Sequence, residues 1–141
     1  MSVTIRDTRW ALNPFHAVLL ASVLPLALGA MLTDMAYANT YHVQWTNFAA
    51  WLVLGVNVFA GAVLVFALAG LLRSRRRDVP SLLYAGLVLA VFVVSVLNSL
   101  VHAKDAWAAM PAALVLSVIT FLLAVAAAWL GFAGYRRGEL A

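Results

Sequence analysis

The chain has no cysteine, and the segments that carry its charge are few and short. The first absence excludes a disulfide framework and any thiolate metal site, and leaves the redox compartment unread. The second is more decisive. Charged residues make up 10% of the 141 positions, against about 25% in an ordinary soluble domain. Three signatures of enzymes are also missing: a glycine-rich phosphate loop, a Ser/His/Asp arrangement, and a His-Glu pair at metalloprotease spacing. No catalytic residue is expected, and the chain is read as having no activity of its own.

What is present is apolar. Hydrophobic residues make up 66% of the sequence, and the mean hydropathy is +1.01. A soluble core of this length cannot hide so much apolar surface. It falls into four runs, at 12–36, 45–72, 80–101 and 110–134, none containing Lys or Arg. At about 1.5 Å per residue, each is long enough to cross roughly 30 Å of hydrocarbon as an α-helix. The expectation is an all-α integral membrane protein: one domain over 1–141, a bundle of four transmembrane helices in a lipid bilayer.

Basic residues orient that bundle. Arg6 and Arg9 precede the first run, Arg73, Arg75, Arg76 and Arg77 separate the second and third, and Arg136 and Arg137 follow the fourth. Lys104 is the sole basic residue in the other connections. Short basic connections stay in the cytoplasm, so both termini are expected there, with 37–44 and 102–109 outside. The Arg cluster is read as a topology anchor, ahead of phospholipid binding, and nucleic acid is not expected as a partner. Arg6, Arg9 and the small-residue string Ala36-Tyr37-Ala38 also imitate a secretory signal, but the intervening run exceeds the ~7–15 residues of a signal core.

Punctuation agrees with four helices. Pro80 and Pro111 sit where a missing N–H costs nothing, in first turns, with Asp78 at the start of the third helix. Pro25 falls inside the first run and is expected to bend it. Ala124 with Ala128, and Ala127 with Gly131, repeat at four-residue spacing and predict close helix packing.

Polar residues at membrane depth invite explanation. His16 and Asp34 lie 18 residues apart on one helical face that includes Leu20, Val23, Ala27 and Ala30. At about 27 Å apart they cannot touch, which argues for two separate polar ends and against a proton wire. Asn98, His102 and Asp105 fall at i, i+4 and i+7 and are expected to share a stripe, with Trp107 at the interface. Asp34, His102, Asp105 and Trp107 thus form a predicted outer polar cluster. For a cofactor, the candidates are His42, Trp51, Asn98 and His102: an imidazole pair for haem b, or an apolar slot with His and Asn donors for a quinone. The order of expectation is no cofactor, then quinone, then haem, and no metal site. The structural alternative has Asp105 capping a helix, His102 bonded to a carbonyl and Asp34 paired with Lys104. Asn57, nearer the bilayer centre, is read as a bond between helices, and His16 as an interfacial or a hydrogen-bonded histidine ahead of a ligand.

Four strings, Asn13 to Leu20, Asp34 to Tyr37, Gln44-Trp45-Thr46-Asn47-Phe48, and Asn98 to Trp107, resemble the small bacterial membrane proteins grouped as domain of unknown function family 2231. The resemblance implies a four-helix protein of the bacterial inner membrane and supplies no activity. Some relatives are suspected of binding haem or accompanying periplasmic quinoprotein dehydrogenases. Relatives often open the first helix with His-Pro, where this chain has Asn13-Pro14. The functions expected are therefore an inner-membrane subunit that anchors or scaffolds a partner on the periplasmic side or within the membrane, foremost a periplasm-facing redox enzyme, with or without relaying electrons to quinone, or a cofactor-free structural or assembly subunit of a larger membrane complex. A small-solute transporter comes third, since paired broken helices and an inverted repeat are missing.

Overall fold

The computed structural model describes residues 13–73 and 78–140. They form four long helices and one short one: α1 (Pro14–Thr40), α2 (Val43–Arg73), α3 (Val79–His102), α4 (Ala106–Ala109) and α5 (Ala112–Leu140). There is no strand among the described residues. Of the basic residues expected to orient the bundle, Arg6, Arg9, Arg75, Arg76 and Arg77 lie outside the described residues.

Local chemistry sets the ends. Asn13 caps α1: its Oδ1 accepts from the Phe15 N–H at 3.0 Å, and Pro14 follows at the first helical position. The α1–α2 connection is shorter than the polar loop expected from the sequence. Helix α1 continues to Thr40 because Asn39 and Thr40 bond back to the carbonyls of Met35 and Ala36, each at 2.7 Å. Tyr41 then adopts a left-handed conformation with φ 56° and returns its N–H to the Tyr37 carbonyl at 2.8 Å. The helix runs through Pro25 and through Ala36-Tyr37-Ala38, and Tyr37 is buried. Hydroxyls within the spans, such as Thr33 and Thr120, bond carbonyls of their own helices, which lets a polar side chain sit among apolar ones.

The helices pack as a ring, α1 beside α2, α2 beside α3, α3 beside α5 and α5 beside α1. Leu20, Val23, Val56, Val63, Val88 and Val91 fill the centre. Ala124, Ala127 and Ala128 of α5 are buried there too, so the small-residue seams predicted from spacing serve packing within the chain. The outer face is the reverse of a soluble protein's: Val18, Val58, Val65, Leu122 and Trp129 are between 60% and 70% exposed. An apolar girdle around a ring of long apolar helices is a lipid-facing surface. Four crossings return the chain to its side of entry, and α1 runs parallel to its diagonal partner α3. That pairing keeps one register along its length, because His16 meets Tyr84 and Asp34 meets His102 at the same separation of 68 residues.

Candidate functional site

Asp34 is the buried carboxylate of α1, with no exposed surface. Its Oδ1 lies 3.0 Å from His102 Nε2 on α3, and its Oδ2 accepts from Ser117 Oγ on α5 at 2.6 Å. The Ser117 oxygen in turn accepts from Asn98 Nδ2 at 2.8 Å. The loop closes on α3 itself, where His102 Nδ1 lies 3.0 Å from the Asn98 carbonyl. A carbonyl only accepts, so Nδ1 carries a proton. A single further proton then lies between Nε2 and Oδ1, held either as an imidazolium–carboxylate pair or as an imidazole and a carboxylic acid. In both forms the pair is neutral as a unit, which is what a buried site requires.

A second cluster adjoins the first. Asn57 of α2 donates to Ser99 Oγ at 2.6 Å and accepts from Ser95 Oγ, both on α3. Ser95, Asn98, Ser99 and His102 fall at i, i+3, i+4 and i+7, one face of a helix. Along two turns α3 is therefore bonded to each of the other three long helices: to α2 through Ser95 and Ser99, to α5 through Asn98, to α1 through His102.

The other end of the bundle is held separately. His16 Nε2 lies 2.8 Å from the Tyr84 hydroxyl, and its ring stacks on Phe66 with centroids 5.5 Å apart. The hydrogen-bonded reading of His16 fits this geometry. Between the two ends the α1–α3 diagonal is apolar at Leu20, Val23, Val88 and Val91, around a cavity of about 10 Å³. That volume is at the lower limit for one water, and its lining offers no hydrogen-bonding side chain.

The structure brings Asp34 and His102 together and adds Asn98 to them. It does not bring in the other candidates. Asp105 cannot continue the Asn98–His102 stripe, because α3 ends at His102; it is the exposed N-cap residue of α4 instead. Trp107 is 76% exposed and packs on Tyr41, ring centroids 5.7 Å apart. Trp51 is 74% exposed. It points away from α3, since the inward face of α2 is built by Ala49, Val53, Val56 and Ala60, and it cannot line a slot there. His42 is exposed in the Tyr41–His42 connection, while the His102 side chain is 2% exposed with both nitrogens engaged. An iron shared by these two imidazoles would have to break the Asp34 or Asn98 contact. Asp34 pairs with His102 and Ser117 in place of Lys104, which is exposed. Arg73 is exposed at the end of α2.

Ser95, Ser99 and Ser117 are site positions that the sequence reading does not single out. The first two were readable, since they share the helical phase of Asn98 and His102. Ser117 carries no such signal: it and Thr120 are the two hydroxyls of an apolar run, and spacing does not tell them apart.

The model of the family described as Predicted membrane protein (DUF2231) matches residues 12–137, which include all of this site. The chain belongs to that family. No curated protein and no solved structure matches it. As a member of DUF2231 it is a multi-pass membrane protein of four apolar helices, and its buried polar residues lie inside the matched region.

Proposed function

We propose that this DUF2231 protein is a scaffold subunit of the bacterial inner membrane, which docks a partner protein at the end bearing Tyr41, His42, Lys104, Asp105 and Trp107. The observation that carries this reading is how the buried polar groups are used. They bond one another, in a circuit through Asp34, His102, Asn98 and Ser117 that links α1, α3 and α5 and closes within α3. A quinone carbonyl needs a free donor and a haem iron needs a free imidazole nitrogen. Spending both inside the bundle favours the cofactor-free subunit over the electron relay. A constant register between α1 and α3 at both ends likewise favours a rigid body over the rocking halves of a transporter.

The exposed groups support a docking role for this end. His42, Lys104 and Asp105 are free of the circuit and exposed, and the Tyr41–Trp107 contact places two aromatic rings beside them. Arginine at 73 and 75–77 biases the opposite end toward the cytoplasm, so the docking end faces the periplasm. A periplasmic redox enzyme is the partner class proposed.

A photo-crosslinking residue at His42 or Trp107 in cells tests this, with mid-span Val58 and Ile119 as lipid-facing controls. The expected result is one discrete protein adduct common to positions 42 and 107 and missing from 58 and 119, identified by mass spectrometry as a periplasmic or periplasm-facing protein. Equal adducts at all four positions, or none, would overturn docking. A stoichiometric haem spectrum lost in His102→Ala would overturn the scaffold reading in favour of the relay.

A further inference from the structure

One end of the Asn98 side chain has no bonding partner. Its Nδ2 donates to Ser117, but Oδ1 meets no donor among the described residues although the residue is fully buried. Interchanging oxygen and nitrogen does not remove the problem. Ser117 has a single proton, committed to Asp34, so an amide oxygen turned toward Ser117 would face a lone pair. Reversing the whole circuit of donors only moves the unpaired end from oxygen to nitrogen.

The side chains level with Asn98 across the bundle are small, and further hydrogen-bonding capacity lies along the same stretch of α3. With α1 and α3 in register at a separation of 68, Ala27 comes level with Ser95 and Ala30 with Asn98, and both alanines are buried. Methyl groups opposite a serine and an amide take little space. Ser95 has one proton, directed at Asn57 and the Phe92 carbonyl, and its oxygen keeps lone pairs for a donor. Ser117 Oγ accepts from Asn98 alone.

We propose that Asn98 and Ser95, opposite Ala27 and Ala30, form a buried binding site for a single water molecule. Water fits where a pure donor or pure acceptor does not, because it serves whichever end of the amide is unpaired and has further bonds to give. Buried waters make about three such bonds to polar groups left over by the protein. Bound here, one water joins the Asn57 cluster to the Asp34 circuit, so that all four long helices share one network.

A structure of the protein in a lipid nanodisc, at a resolution that shows ordered solvent, tests the site directly. The expected result is a solvent peak within about 3.2 Å of the free end of the Asn98 amide. An amide in apolar contact with no solvent, or a molecule larger than water at that place, would overturn the proposal. Infrared difference spectra in H2 18O against H2 16O give a second reading: an isotope-sensitive O–H band in the wild type, lost in Ala30→Val, which narrows the space and removes no hydrogen bond. Should Ala30→Val fail to fold, Ala30→Ser, which places a hydroxyl opposite Asn98 to take over from the water, is expected to lose the same band. A band unchanged in the folded variant would overturn the site.

Discussion

Asp34 and His102 depend on each other in a way that makes their variants unequal. Removing one partner of a buried pair leaves the other uncompensated, at a cost of about 3–5 kcal/mol. Asparagine at position 34 is different. Its amide can donate to a neutral His102 Nε2 while its carbonyl oxygen accepts from Ser117, so both contacts survive without any charge. Asp34→Ala is therefore expected to destabilise the bundle by about 3 kcal/mol or more, and Asp34→Asn by less than about 1 kcal/mol. Reversible unfolding in mixed micelles measures both, and equal losses would show that the carboxylate is needed as a charge. This pair was legible in the sequence, because a carboxylate near one helix end and a histidine two helices later fall at the same bundle end. Ser117 was not, since a single hydroxyl gains meaning only when its neighbour is known. At the far end of α1, Asn13 stands just before the first helical residue, Pro14. Its side chain caps the helix, a job asparagine does better than most residues.

Among the elements, the four spans were legible from apolar length alone, and their inward faces from helical phase: Leu20, Val23, Ala27, Ala30 and Asp34 are all buried on α1. The connections were harder to read. The polar string from Asn39 to Gln44 reads as a loop, yet side-chain bonds to backbone carbonyls extend α1 to Thr40, and α2 already begins at Val43. Likewise α3 ends at His102, so the helical phase of Asn98 and His102 does not reach Asp105. Glycines give the packing between elements a direct test. A Cβ at Gly61 of α2 would lie 3.1 Å from the Phe92 ring of α3, whereas one at Gly86 of α3 would meet nothing within 4 Å. Gly61→Leu is expected to overpack that contact and cost about 1–3 kcal/mol. Gly86→Ala is expected to be neutral or to stabilise by up to about 1 kcal/mol, since alanine is the better helix former. Thermal unfolding in detergent checks the pair, and a Gly86→Ala loss as large as that of Gly61→Leu would place α3 in a different rotation.

At the scale of the whole molecule, the two ends of the bundle carry different chemistry. One joins His16, Tyr84 and Phe66 beside the Arg73 end of α2; the other holds the Asp34 circuit beneath exposed Tyr41, His42 and Trp107. Which end meets the cytoplasm decides where any partner docks, and helix packing alone is indifferent to it. Arginine distribution is not indifferent: in the sequence Arg6 and Arg9 precede α1, Arg73 ends α2 and Arg75, Arg76 and Arg77 come between α2 and α3, Arg136 and Arg137 fall in the last turns of α5, all next to helix ends on the His16 side, and Lys104 alone is at the other end. Because the chain has no native cysteine, single Cys residues report orientation without background. In intact cells an impermeant thiol reagent is expected to label Asn39→Cys and to leave Ser74→Cys untouched until the membrane is permeabilised. The reverse pattern would turn the bundle over, put the Tyr41–Trp107 surface in the cytoplasm, and remove periplasmic proteins from the set of partners it can reach.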